Sequence, residues 1–372
     1  MYAWAIIIVL YEFQTEKYNA PDFTEERFIK APDAKLVEVI DDGVAPDGFH
    51  ALSIYHEYFK IDGKWYLVEE SCMDAVPVFK NGRIKAIEAR KLEKGDLVVI
   101  GKTEKLEEGI YLYDQGFSMN QERSDAFSFR TDRSRETSFS REYEDLCELL
   151  KYEKEKGNML WVLGPAFTFD PKARHAFESL VENGYVNAFL AGNTLATHDL
   201  EVAYYGTALG QNINTGDNVH NGHYHHLEVL NKVRSCGSIK KFMEKEDIDN
   251  GIMWALEKND IPYVLAGSIR DDGPLPEVEG NVYLAQNKMR EHVSKATTII
   301  CMASALHSIA TGNMTPSYRV MEDGKIRELY FYIVDISEFI INKLADRGSL
   351  TSRGIVTNVQ DFVVKLAKNL DI

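Results

Sequence analysis

The chain has 372 residues, 45% hydrophobic and 27% charged, with a formal net charge of −16. That apolar content can bury a sizeable core, which excludes global disorder and leaves room for two domains. The acidic balance, with no Lys/Arg-rich stripe, excludes a nucleic-acid-binding surface and mildly favours a cationic ligand. Four cysteines, Cys72, Cys147, Cys236 and Cys301, stand far apart with no CxxC pair, as fits a reducing, cytoplasmic compartment.

The opening "MYAWAIIIVLYEF" has no basic flank and no small-residue cleavage site, and its apolar run is shorter than the ~20 residues needed to span a bilayer. Its branched and aromatic content predicts a buried strand rather than an export signal or a membrane segment. Residues 1–115 read as a β-rich domain. Asp62-Gly63 and Asn81-Gly82 each sit between strand-like runs, a strong hairpin signal, and "KLEKGDLVVIG" adds a further turn and strand. Several short strands of this kind predict a small barrel or sandwich. The Ser/Arg-rich stretch 116–140 lacks periodicity and reads as a linker or mobile loop.

From 141 to 372 the pattern alternates. "MLWVLGPA", "YVNAFLAG", "IPYVLAGS", "ATTIICMA" and "LYFYIVDI" are short buried strands, each followed by a helical stretch. This predicts an α/β fold, a doubly wound and mostly parallel sheet with helices on both faces. "SYRVMEDGKIREL", with Asp323-Gly324 at its centre, reads as a β-hairpin inserted at 317–328, before the strand that ends at Asp335.

Ligands of such sheets bind outside the carboxyl ends of the strands. The segments there are "GPAFTF", "AGNTLATHD", "AGSIRDDGPLP", "MASALHSIATGNM", "VDIS" and "VTNV". They are rich in Gly, Ser, Thr, Asn and Asp, which suits phosphates, riboses and amides. Asp335 at a strand end can accept hydrogen bonds from an adenosine ribose and repel a 2′-phosphate, favouring NAD over NADP. It can equally cap the helix that follows. No GxGxxG follows a strand and no GxxxxGK[ST] occurs, so a dinucleotide would be held by other loops.

These same segments, "LAGNTLATHDLE", "GTALG", "GHYHHLEVLNKVR", "VLAGSIRDDGPLP", "LHSIATGNM" and "KLADRGS…GIVTNV", resemble the archaeal-type ornithine cyclodeaminase family. The domain is also known as a lysine-oxoglutarate reductase/saccharopine dehydrogenase-related domain, and as the C-terminal part of bifunctional arginine dihydrolase/ornithine cyclodeaminases. The resemblance runs from about Gly43 to the C-terminus. It implies an NAD-binding domain of deoxyhypusine-synthase-like topology, which would account for the missing GxGxxG. It also implies NAD contacts at Asn193, Thr194, Asp272, Ser304, Ala305, Leu306, His307, Asp335, Asn358 and Val359. Each of these follows a predicted strand. The chain departs from the family ahead of "GVAP", in the hairpin at 317–328, expected close to the cofactor, and at Asn358, where Asp is common.

The activity implied is conversion of L-ornithine to L-proline and ammonia, with hydride removed to NAD and later returned. Such a site needs carboxylates to hold a diamino substrate and move protons. Asp199 and Asp271 are the catalytic candidates because both lie in the loop motifs; an ordinary helix position and a "DDGP" turn position are their structural alternatives. His198 is a similar candidate. So is Arg270, which could instead hold the substrate carboxylate. A dehydrogenase of another amino acid, or an inactive NAD- or metabolite-binding protein, is the alternative function. The run "HNGHYHH" at 220–226 invites a metal reading. It supplies no third protein ligand, so no metal is expected. Instead the run reads as the start of a helix with Leu227, Val229 or Leu230, and Val233 inward. One or two of its imidazoles would border substrate or cofactor, with His220 exposed. A homo-oligomer, a dimer or higher, and no membrane partner complete the expectation.

Overall fold

The computed structural model describes residues 13, 15–117, 139–271, 273–321, 323–345 and 350–372. The strand expected at the N-terminus (Phe13 apart), most of the 116–140 linker and Asp272 therefore lie outside the described residues.

A short helix, α1 (Glu26–Lys30), precedes seven strands: β1 (Lys35–Glu38), β2 (His56–Ile61), β3 (Lys64–Glu69), β4 (Val76–Lys80), β5 (Arg83–Ile87), β6 (Leu97–Ile100) and β7 (Ile110–Tyr113). The β2–β3 turn has φ of 49° at Asp62 and 73° at Gly63, and the β4–β5 turn has 54° at Asn81 and 73° at Gly82. Two successive positive φ values make the tight turn whose twist matches the flanking strands. The two hairpins join through a parallel pairing of β3 with β5, Val68 opposite Ile84. The result is one sheet in the order β1-β6-β4-β5-β3-β2-β7. The ladder is open between β1 and β7, but the sheet curls on itself: Ala34 N, just ahead of β1, donates to Lys60 O on β2, and Leu36, Phe59, Val68, Ile84, Val99 and Ile110 share one core.

The second half begins with α2 (Phe139–Lys156) and β8 (Met159–Leu163). A 3-10 turn at Pro165–Phe169 leads to α3 (Pro171–Glu182), β9 (Ala188–Gly192) and α4 (Asn193–Tyr205). The two-residue strands β10 (Thr207–Ala208) and β11 (Gln211–Asn212) come next, then α5 (His225–Cys236), α6 (Ile239–Lys245) and α7 (Ile252–Lys258). Then follow β12 (Tyr263–Ala266), β13 (Val278–Glu279), α8 (Val282–Val293), β14 (Thr298–Met302) and α9 (Ala305–Met314). The chain ends with β15 (Tyr318–Val320), β16 (Ile326–Glu328), β17 (Tyr330–Asp335), α10 (Glu338–Ala345), β18 (Thr351–Val356) and α11 (Val359–Asn369). Seven of these strands form one sheet, β13-β12-β9-β8-β14-β17-β18, and every pairing in it is parallel.

The near-continuous apolar strands follow from burial on both faces. In β8, Trp161 and Leu163 face one core with Phe177, Phe189 and Phe362. Leu160 and Val162 face the other with Ile299, Cys301 and Phe331. Chain order reverses between β8 and β14, neighbours in space but far apart in sequence. A reversal of this kind opens a crevice between the two loops that leave the strands.

Strands β15 and β16 pair antiparallel, Tyr318 opposite Glu328. Their position sets this hairpin apart from the strand exits at which the cofactor contacts are expected. Helix α9 returns the chain to the start of the sheet, so the hairpin precedes β17 and stands at the opposite end of that strand from Asp335. Leu329 N donates to Ser317 O and Tyr330 N to Thr297 O, both at the sheet's amino edge. The hairpin also fastens the two sheets together: Tyr318 OH donates to Val68 O, and Ser317 Oγ to Ile54 O. Arg290 on α8 pairs with Glu88, and Arg90 donates to Gln286 at 3.0 Å. A cleft of about 1260 Å³ at this amino edge is lined by Lys17, Lys156, Lys295 and Arg327. It is lined by Asp323 and Gly324 of the hairpin turn but by none of the candidate catalytic or cofactor-binding residues.

Candidate functional site

The crevice is built on missing side chains. Gly164 ends β8 against the exit of β14, where an added Cβ would lie 1.7 Å from Ala303 O. Gly192 ends β9, where an added Cβ would meet His307 Cε1 at 2.9 Å. Ala303 itself has φ of 52°, a left-handed conformation unusual outside glycine and concentrated at functional sites. Three strand exits, those of β8, β9 and β14, thus converge more tightly than side chains would allow.

Around this point the structure gathers several of the sequence candidates. Ser304 and His307 share a hydrogen bond at 3.2 Å, Oγ to Nδ1, at the start of α9. Burial holds the His307 imidazole below its usual range, opposed by the charge of Asp271 and reinforced by that of Arg270. Ala305 is half-buried and Leu306 exposed on the same turn. Asn193 is buried, and its side chain clamps the loop after β12: Oδ1 accepts from Leu275 N at 2.9 Å and Nδ2 donates to Gly273 O at 3.3 Å. Thr194, next along, is only half-buried. Asp271 accepts from Ser268 N at 2.8 Å, which closes the turn, and Arg270 is exposed.

Farther along the sheet, Asp335 Oδ1 accepts from Ser337 N at 2.8 Å. Its Oδ2 has no hydrogen bond among the described residues, so turn formation and ligand binding are compatible there. Asn358 Oδ1 accepts from Gln360 N and Asp361 N and caps α11. An amide oxygen does this as well as a carboxylate, so the departure from Asp leaves the helix start intact. Val359, the first residue of α11, has its side chain in the core, which leaves its backbone as the part able to meet a ligand.

Asp199, the other carboxylate singled out from the sequence, lies elsewhere, among the helices. It is 0% exposed; Oδ1 accepts from Arg174 Nε and Oδ2 from Met253 N, both at 2.8 Å. The carboxylate ties α3, α4 and α7 together and has no open side for a substrate. Its helical position puts it on the face turned toward those helices.

The neighbouring face of α4 carries a group that the loop motifs did not reveal. Glu201 is 0% exposed. Its Oε1 accepts from Thr207 Oγ1 and from Gly210 N, both at 3.1 Å. Its Oε2 lies 3.2 Å from His198 Nδ1 and 3.9 Å from His226 Nδ1. Burial alone would raise the Glu201 carboxyl, but the bonds from His198, Gly210 and Thr207 hold it below the usual carboxylate range. His198, 4% exposed, packs against Phe169 of the turn after β8 and against the His226 ring, with centroids 5.4 and 4.8 Å away. Ligand atoms of His198, Glu201 and His226 all lie within 4.8 Å of one another. His225 turns away to stack on Tyr205, and its Nδ1 meets Thr207 Oγ1 at 2.7 Å. His220 and His223 are exposed. Leu227 is exposed too, contrary to its expected inward position, while Val229, Leu230 and Val233 are buried. The usable signal was the i, i+3 pair His198 and Glu201, which share a helix face.

A family model described as arginine dihydrolase ArgZ-like, C-terminal, Rossmann fold, matches residues 145–366. The chain is 40% identical over 343 residues to the ornithine cyclodeaminase of Methanocaldococcus jannaschii, covering 89% of this chain and 76% of that one. A solved LOR/SDH protein from Methanococcus maripaludis superposes with a TM-score of 0.81 at 37% identity, over 91% of this chain and 98% of that one. The ternary complex of AgrE with ornithine and NAD+ superposes with a TM-score of 0.57 at 34% identity. That match covers 92% of this chain and 46% of AgrE, a bifunctional arginine dihydrolase/ornithine cyclodeaminase of Nostoc. No helix among the described residues is long and apolar enough to cross a membrane.

Proposed function

The chain belongs to the ArgZ-like C-terminal Rossmann family, and on that footing we propose that it is an NAD-dependent ornithine cyclodeaminase, an ammonia-lyase that converts L-ornithine to L-proline and ammonia. The observation that carries this reading is the crevice at the reversal of chain order, where Gly164, Gly192, Ser304 and His307 meet, in a chain 40% identical to an ornithine cyclodeaminase over nine tenths of its length. We place the enzyme in the cytoplasm, as a homo-oligomer.

The residues present fit the cofactor. The two glycines let a flat or phosphorylated group approach backbone closely. The amides at the start of α9, after Ser304, suit a pyrophosphate, with Ala305, Leu306 and His307 lining the same turn. Asp335 keeps one carboxylate oxygen for a ribose hydroxyl, and Asn358 and Val359 flank the next strand exit. Asn193 and Thr194 border the exit of β9, and Asp272 is carried over from the family motif as a further contact. When bound, NAD would supply a hydride acceptor that later gives the hydride back, so no net oxidation is needed.

The chain itself must hold a dication and move protons. Asp271, at the mouth of the crevice in a protein of net charge −16, is the carboxylate assigned to the substrate's ammonium groups, and Arg270 suits its carboxylate. Keeping both amines in one pocket makes ring closure an intramolecular step, where proximity gives a large advantage.

The test is purified protein with NAD+ and L-ornithine, assayed for proline and ammonia while absorbance of NADH is followed. Proline and ammonia in equal amounts, without steady NADH, support the reading. Accumulating NADH would replace it with a dehydrogenase. Saturable NAD+ binding without product would replace it with a metabolite-binding protein.

A further inference from the structure

We propose that His198 is the proton-transfer residue of this site and that Glu201 is its positioning residue. The proposal rests on the ornithine reading for the identity of the substrate, but its geometry stands on α4 alone. His198 follows Thr194 by four positions and shares its helix face, about 6 Å further along the axis at the usual rise per residue. Phe169, from the exit of β8, covers it on one side. The imidazole therefore packs one helical turn beyond the exit of β9, against the turn that follows β8.

One ring nitrogen is committed and the other is not. Nδ1 donates to Glu201 Oε2 at 3.2 Å. Nε2 has no hydrogen bond among the described residues, and the residue is 4% exposed. Fixing Nδ1 as the donor leaves Nε2 as the lone-pair nitrogen, the tautomer a base requires. Glu201 can do this because its other oxygen is already anchored by Thr207 and Gly210. A carboxylate ionised within the fold also stabilises the imidazolium once the proton arrives. The titratable groups facing His198 are Glu201 from its own helix and His226 from α5. The turn after β8 presents Phe169.

In the forward direction an N–H bond of the substrate's α-ammonium breaks, an N–H bond forms on Nε2, and the positive charge passes to the imidazole. The δ-ammonium gives one proton to solvent, its freed lone pair forms the ring C–N bond while the C=N pair moves onto the α-nitrogen, and the ring nitrogen gives a second proton to solvent. The imidazolium then returns its proton to the α-nitrogen, which departs. That nitrogen keeps the C–N bonding pair and leaves as ammonia, the ring nitrogen's lone pair replaces the lost bond, and His198 is neutral again.

The experiment has one arm that needs no turnover. In nitrogen-15 imidazole spectra of the full chain at neutral pH, the resonance lost in His198→Asn should show the Nδ1–H tautomer. Glu201→Gln should abolish that preference. In the turnover arm, His198→Asn should lower kcat on ornithine by about 100-fold or more while NAD+ affinity, read by tryptophan fluorescence, changes less than about twofold. His198→Ala should regain turnover with added imidazole. An Nε2–H tautomer, or His198→Asn with kcat unchanged, would overturn the proposal. So would activity abolished by chelator and restored by zinc, which would make the cluster a metal centre. If the wild-type protein forms no proline from ornithine, the function reading fails while the tautomer arm still decides the relay.

Discussion

Asp199 and Glu201 stand two positions apart on one helix, are equally buried, and have opposite surroundings. Asp199 meets a guanidinium and a backbone amide. Glu201 meets two imidazoles, a hydroxyl and an amide. A buried carboxylate with a fixed cationic partner is a structural tie, and removing one partner leaves an uncompensated charge. Asp199→Asn should therefore destabilise the protein by about 3 kcal/mol, measured by urea denaturation. Enzyme that remains folded should keep its KM for ornithine. A raised KM with unchanged stability would return Asp199 to the substrate. The sequence could not separate the two residues. Arg174 is 25 positions from its partner, and only the packing of α3 on α4 brings the pair together.

At the scale of elements, the strand exits were legible because each ends a short apolar run in Gly, Ser, Asn or Asp. The hairpin turns were legible because Asn-Gly and Asp-Gly take positive φ readily. Two things were not. The pairing of β3 with β5 depends on contacts between separate hairpins, so one sheet could not be told from a sandwich. The seating of the β15–β16 hairpin depends on which end of the sheet α9 returns to, and local pattern carries no such information. The close approach of the β8 and β14 exits makes a sharp prediction. Gly164→Ala should cost about 3 kcal/mol or more, since the clash is with backbone that cannot rotate away. Gly82→Ala, where nothing lies within 4 Å, should cost only about 1–2 kcal/mol for its positive φ. Thermal melts of the two variants side by side check the difference. Equal losses would mean that the two exits are packed more loosely than they stand.

For the molecule as a whole, the junction between the sheets has its own pH dependence. His56 is buried on β2, its ring stacked on Tyr318 of the hairpin at 4.2 Å and flanked by Tyr18 and Phe117. Burial pushes its imidazole down to about 4. An unfolded histidine binds its proton near 6.5, so the folded state loses ground as pH falls from 6.5 toward 4. The contribution is fully present above 6.5. Its loss amounts to about 3 kcal/mol across that window. His56→Phe should flatten the acid limb of the stability curve by about that amount; an unchanged limb would assign acid sensitivity elsewhere.

The hairpin that receives His56 hangs from the stretch of chain joining α9 to β17, and it bonds to backbone on β3 and just ahead of β2. Together with the Arg290–Glu88 and Arg90–Gln286 contacts, it attaches the β-rich sheet to the amino edge of the parallel one at several separate points. A body bolted down in this way is a plinth and cannot swing as a jaw. Opening and closing around a ligand must then fall to the loops at the far, carboxyl edge. X-ray scattering should accordingly give one radius of gyration with and without NAD+ and ornithine, and a ligand-induced contraction of the particle would show that the plinth moves.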